Sequence, residues 1–261
     1  MKQYIVDAFT DKVFSGNPAG VCILDKWISD NLMKNIAREN NLSETAFTVK
    51  NDSNYHLRWF TPAGEIDFCG HATLATAYVI KHFYDTGNII CFRTMFGEIS
   101  VKVADDIYEM DFPAYSLNKI PVTEDMTKAI GIKPNSAYID RDLMLVVNSE
   151  SDVKNLNINP ELLKKLDGLC VAVTAKGEKY DCVSRVFAPK MNIPEDHVTG
   201  STHCMIAPYW AKKLGKNKIS AYQASARTGI LFCETTLDKR VRISGKAVLY
   251  AISEILPEEM F

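Results

Sequence analysis

The sequence predicts an α+β protein built from two copies of one domain, each a strand-rich shell around a single buried helix. Three observations lead there. The chain repeats itself: Arg58, Phe60 and Pro62 return as Arg185, Phe187 and Pro189, each 127 positions on, and Gly70 returns as Gly200, 130 positions on. The echo extends both ways, since Ala46–Lys50 resembles Ala172–Lys176 and Gly97–Val101 resembles Gly229–Cys233. Self-similarity at so long a period marks a duplicated domain rather than a solenoid. Finally, the stretches opening at Gly70 and Gly200 are rich in small residues and apolar on almost every face, the pattern of a buried central helix. The expected domains are residues 1–115 and 116–247, with 248–261 available to complete the first. Two related domains make a cleft, where small ligands bind.

Taken in order, Tyr4–Phe9 is short, apolar and partly β-branched, and reads as a first strand. Phe14–Gly20 is turn chemistry, with Gly16, Pro18 and Gly20. Val21–Leu24 is a buried strand. Ser29 caps a helix whose apolar face is Leu32, Ile36 and Ala37, ending near Asn40 and Asn41. Glu44 stands where that helix gives way to a strand. Tyr55–Phe60 is a strand, 62–67 a loop, and Gly70–Phe83 the first central helix. Strands at Asn88–Arg93, Gly97–Val103 and Ile107–Phe112 finish the first copy, and Pro113 marks the border.

The chain crosses over between Ser116 and Pro121. Short helices are expected at 127–131 and 160–166, the latter with proline near its start. Leu143–Val147, Cys170–Thr174, Asp181–Phe187, Lys218–Ala224, Ile230–Thr235, Val241–Gly245 and Val248–Ile252 read as strands. Gly200–Lys213 is the second central helix. Asp140, Arg141 and Asp142 read as solvated charge.

Composition narrows the function. The 261 residues are 47% hydrophobic, enough for two ordinary cores. With 30 basic and 32 acidic side chains the formal charge is −2, which gives no electrostatic reason to expect nucleic acid or an anionic membrane as partner. The seven cysteines are odd in number, irregularly spaced and without a Cys-x-x-Cys pair, which predicts reduced thiols and a cytoplasmic protein. The start has no apolar run of signal-peptide type, and no stretch is long enough to span a membrane.

The chemistry concentrates at the two glycines. Gly70, His71, Ala72 and Thr73 open one central helix, and Gly200, Ser201 and Thr202 open the other. First-turn N–H groups are unpaired and carry partial positive charge, so two such ends would bind a carboxylate or a developing oxyanion. Glu44 is the acid/base candidate: it lies between Leu42 and Phe47, and apolar surroundings disfavour a carboxylate's charged form. The second copy has Cys170 at the matching position and no carboxylate. Asp196, four residues before Gly200, is a further hydrogen-bond or proton partner, against the alternative of a solvated Glu195–Asp196 pair. His71 could donate to a ligand or relay a proton, or simply cap its helix. Cys69 is either a thiolate activated at a helix start or a buried inert thiol. His197, His203 and Cys204 match no zinc spacing, so no metal is expected.

Asn41–Phe47, Phe68–Thr73 and Glu195–Ser201, with Phe9–Val21 around Gly16-Asn-Pro-Ala, resemble in order and spacing the signatures of the PhzF (phenazine-biosynthesis-like) family. The resemblance covers essentially the whole chain. It implies the diaminopimelate-epimerase-like fold, two pseudo-symmetric β-barrel-like halves each wrapped around a central helix. It also implies an isomerase that uses no cofactor and acts on a small carboxylate; dimers are frequent in the family, which leaves a homodimer open. In the characterised phenazine enzyme the glutamate matching Glu44 shuttles a proton between carbons of a dihydro-hydroxyanthranilate. The residues matching His71, Asp196 and Ser201 shape the site and bind substrate. Epimerase relatives use two cysteines, one at each helix start. Here Cys69 is present, but the second position is Thr199, which argues against amino-acid epimerisation. His197 stands where the family usually has proline. The runner-up readings are a racemase using Cys69 and a non-catalytic binding protein on the same fold.

Overall fold

In the computed structural model, residues 1–51, 54–95 and 97–256 are described. Residues 257–261, the end of the expected 248–261 stretch, lie outside them. The first part of the chain runs β1 (Lys2–Ala8), β2 (Asn17–Leu24), α1 (Asp30–Asn40), β3 (Glu44–Asn51), β4 (Asn54–Thr61), β5 (Gly64–Ile66), α2 (Gly70–Phe83), β6 (Ile89–Thr94), β7 (Gly97–Ala104) and β8 (Ile107–Pro113). It continues with β9 (Asn118–Ile120), α3 (Glu124–Ile130), β10 (Ser136–Ile139), β11 (Leu143–Val146), α4 (Glu150–Lys154), α5 (Pro160–Leu163), β12 (Val171–Lys176), β13 (Cys182–Ala188) and β14 (Ile193–Asp196). It ends with α6 (His203–Leu214), β15 (Lys218–Gln223), β16 (Gly229–Thr235), β17 (Arg240–Gly245) and β18 (Ala247–Glu254). The chain divides into two compact units, 1–111 with the residues from 244 onward, and 112–243.

In the first unit the strands pair in the order β18, β1, β2, β3, β4, β6, β7, β8. The β2–β3 and β4–β6 pairs are parallel. Parallel neighbours need a crossover connection, and α1 and α2 supply the two. Ser29 caps α1 by accepting from the Leu32 N–H, and Asn41 ends it in the left-handed conformation. Its buried face, Met33, Ile36 and Ala37, packs on Cys22, Leu24, Phe47 and Phe60. Helix α2 is buried from Gly70 through Ala77 and packs against β1, β2, β3 and β18. It is the central helix of the unit.

The second unit repeats the succession. Its strands pair as β9, β10, β11, β12, β13, β15, β16, with β11–β12 and β13–β15 parallel. The crossovers are α4 with α5, and α6. Leu143, Leu145, Val171, Val173 and Phe187 form a core with Met126 and Ile130 of α3 and Leu163 of α5.

The structure adds β10, β14 and α4 to the elements expected, and four further details depart from the sequence reading. The turn after β1 ends at Gly16, and Asn17–Gly20 are already strand. Gly16 has φ +69°, and a Cβ there would meet the Ala8 carbonyl oxygen at 2.2 Å, so only glycine makes this turn. The 62–67 loop contains β5, which forms a hairpin with β4. Helix α6 begins at His203 rather than Gly200: the N–H groups of His203, Cys204 and Met205 bond to the carbonyls three residues back, a tight turn that feeds the helix. Asp142 is fully buried, not solvated. Its carboxylate accepts from the Cys170 N–H at 3.2 Å and from the Thr202 hydroxyl at 2.9 Å. No helix among the described residues is long and apolar enough to cross a membrane.

Candidate active site

The first unit gathers three side chains around one imidazole. Glu44 opens β3 beside Ala19 of β2. Cys69 stands at the N-cap of α2, and His71 lies in the helix's first turn. Asn17 opens β2. All four are buried, Glu44 at 7% and His71 at 5% exposure. Glu44 Oε2 lies 3.1 Å from His71 Nε2. On the other edge of the ring, Nδ1 faces the Asn17 amide at 3.2 Å and Cys69 Sγ at 3.5 Å. An amide has a donor and an acceptor end, so Asn17 can serve either protonation state of Nδ1.

The Glu44–His71 approach is a charge contact without hydrogen-bond alignment, and Glu44 Oε2 and His71 Nε2 each lack a hydrogen-bond partner. Two such buried atoms side by side are costly. Together they offer an acceptor and a donor to a group that approaches both from one side.

Burial opposes charge on the imidazole, but Cys69 and Glu44 beside it prevail and raise its pKa well above the ordinary value. Burial, reinforced by Glu44, pushes the Cys69 thiol up to about 11. The thiol is therefore protonated at neutral pH. This also separates the two readings of Cys69: an activated thiolate needs a lowered pKa, and this one is raised.

Glu44, Cys69 and His71 bring a carboxylate oxygen, a sulfur and a ring nitrogen within 4.8 Å of one another, and all three are metal-ligand types. The ring turns Nδ1 to Cys69 and Nε2 to Glu44, so the two short contacts use different nitrogens. Of the other expected residues, Ala72 and Thr73 are fully buried. The Thr73 hydroxyl donates to the Cys69 carbonyl at 2.6 Å, which braces the helix start.

The second unit holds Asp196 at the end of β14, half-buried. Its Oδ2 accepts from the Thr199 hydroxyl at 2.5 Å. Gly200 is buried, Ser201 half-buried and Thr202 buried, and the three make the turn before α6. Neither Gln223, which binds this loop, nor Asn17 and Asp142 stand out in the sequence. Each is a single polar residue whose partner lies 24 to 60 positions away.

Both units carry the same brace. Arg58 grips Glu65 through Nε and Nη2, each at 2.7 Å, and Arg185 grips Glu195 in the same manner at 2.7 and 2.8 Å. Glu195 immediately precedes Asp196. A sequence signal existed: 65 and 195 differ by the same 130 positions that relate Gly70 to Gly200.

The family model described as phenazine biosynthesis-like protein matches residues 6–252. An uncharacterized isomerase of Pseudomonas aeruginosa is 47% identical over 246 residues, covering 94% of this chain and 95% of its own. The crystal structure of a PhzF family phenazine biosynthesis protein from Enterococcus faecalis superimposes with TM-score 0.96 at 46% identity, covering 98% and 99% of the two chains. A probable proline racemase from Agrobacterium radiobacter matches with TM-score 0.65 at 9% identity, covering 98% and 92%. That likeness is one of fold alone, the epimerase-like architecture of two strand-rich halves around central helices.

Proposed function

The chain belongs to the phenazine biosynthesis-like (PhzF) family of isomerases, and we propose that it moves a proton between carbons of a small carboxylate without a cofactor. In this reading Glu44 is the general acid/base. It takes a proton from a carbon acidified by a neighbouring unsaturated or carboxyl group and returns it at another carbon. His71 faces the same spot, and its imidazolium stabilises the charge that builds up as the proton leaves. In the second unit Asp196 and Ser201 are the candidate substrate contacts, and each unit has its own candidate carboxylate-binding stretch, Gly70–Thr73 in the first and Gly200–Thr202 in the second.

One observation carries the reading. A buried carboxyl oxygen and a buried imidazole nitrogen stand 3.1 Å apart, neither engaged in a hydrogen bond. A general base must lie within hydrogen-bond reach of the proton it takes, and neither atom is tied up by a hydrogen bond within the protein. The raised thiol of Cys69 weighs against a racemase that would use it as the base.

The test is solvent exchange. The protein is incubated in D2O with a dihydro-hydroxyanthranilate and with a panel of amino-acid and cyclic carboxylates. Wild type incorporates deuterium into a recovered ligand. Glu44→Gln binds that ligand with similar affinity but loses about 10²–10⁴-fold in exchange rate. Equal exchange by the variant removes Glu44 from the mechanism.

A further inference from the structure

We propose that Gln223 and Thr199 are positioning residues that fix the Asp196 carboxylate for its work on substrate; the inference rests on the role given to Asp196 above. Gln223 ends β15 and is fully buried. A buried amide must satisfy both its ends. Its Oε1 accepts from the Thr199 N–H at 2.9 Å. Its Nε2 donates to the Asp196 carbonyl at 2.8 Å and to the Thr199 hydroxyl oxygen at 3.3 Å.

The last contact gives the network its direction. A hydroxyl has one proton. With an amide N–H donating to its oxygen, the Thr199 hydroxyl keeps its proton for Asp196 Oδ2, which it reaches at 2.5 Å. That is the range of charge-assisted O–H···O⁻ bonds. The chain therefore reads amide to hydroxyl to carboxylate, and it fixes the orientation of the Asp196 carboxylate through Oδ2.

The anchor at each end is firm. Gln223 is held in the sheet, opposite Gly229 of β16 and Ser184 of β13. The Thr199 carbonyl accepts from His203 Nδ1 at 2.7 Å, which ties the same residue to the start of α6. Thr199 occupies the position where, by the family resemblance, epimerase relatives carry their second cysteine. Here that side chain serves a neighbouring carboxylate instead.

The experiment compares Gln223→Met, Thr199→Val and Thr199→Ser with wild type by thermal unfolding, crystallography and deuterium exchange into a dihydro-hydroxyanthranilate. Gln223→Met and Thr199→Val are expected to lose roughly 10²-fold in kcat, the scale of a misplaced reacting group, with KM nearly unchanged. Their crystal structures should show the Asp196 carboxylate rotated from its wild-type position. Thr199→Ser, which keeps the hydroxyl, should restore kcat. The proposal is overturned if Asp196 keeps its position in both variants, or if kcat is unchanged in Thr199→Val. Should Gln223→Met fail to fold, Thr199→Val decides the matter, because it leaves the sheet intact. If wild type itself shows no exchange, the catalytic reading fails, while the crystallographic comparison still decides whether Gln223 and Thr199 hold Asp196.

Discussion

At the scale of single residues, His71 is the pivot of the first unit, and its two nitrogens have different employers. Nε2 faces Glu44, while Nδ1 is held by Asn17 and Cys69. Asn17 should therefore matter through the ring it orients. Asn17→Leu is expected to lower exchange by roughly 10²-fold through misplacement of the imidazole while the ligand still binds; unchanged kcat would show that the amide only fills space. Cys69 should behave in the opposite way. Its thiol is buried and its pKa is raised to about 11, so the folded protein should resist alkylation at neutral pH. Cys69→Ala should keep most of its turnover. Rapid iodoacetamide labelling of Cys69 with parallel loss of exchange would restore the racemase alternative.

Among the elements, the hairpins that lead into the two helix starts are pinned by the Arg58–Glu65 and Arg185–Glu195 forks. Exposed ion pairs contribute about 0–1 kcal/mol. These are bidentate and mostly shielded, with Arg185 and Glu195 side chains 17% and 23% exposed. A double-mutant cycle with Arg185→Met and Glu195→Gln, read by urea unfolding, should give a coupling of about 1–2 kcal/mol. Arg185→Lys keeps the charge but not the fork and should recover little of it. A coupling near zero would reduce the fork to surface decoration. This level was the most legible in the sequence. The matched Arg and Phe residues lie on β4 and β13 with each proline just past the strand end, and the two glycine-led stretches lead into α2 and α6. What stayed hidden has physical reasons. Helix α4 is five residues long with a Ser149–Asp152 capping box, too short for its periodicity to register. The start of α6 is displaced to His203 because a tight turn at Gly200–Thr202 takes up the first carbonyls. Asp142 sits among charged neighbours in sequence, yet its hydrogen bonds come from Cys170 and Thr202, far along the chain, where local pattern carries no information.

The molecule as a whole should record two histidines in its pH-dependent stability, one from each unit and of opposite sign. His203 is fully buried, and burial pushes its pKa down to about 4 although its bond to the Thr199 carbonyl works the other way. Between the ordinary value of 6.5 and about 4, the unfolded chain binds a proton that the folded chain refuses. Stability therefore falls as pH drops through that window, by up to about 3 kcal/mol from this residue. His71 is shifted the other way: its folded pKa lies well above 6.5. Its contribution is complete below 6.5 and is lost as pH rises through the folded value, because the unfolded chain releases its proton first. The two residues thus squeeze stability from both sides of 6.5. Urea midpoints measured from acid to alkaline pH should show His203→Gln flattening the acid limb and His71→Gln flattening the alkaline limb, each leaving the other limb in place. An acid limb unchanged in His203→Gln would mean that carboxylates alone govern acid unfolding, and an alkaline limb unchanged in His71→Gln would mean that Glu44 does not hold a proton on His71. The second result would also weaken the catalytic reading, since the imidazolium beside Glu44 is the group given the task of stabilising charge on the substrate.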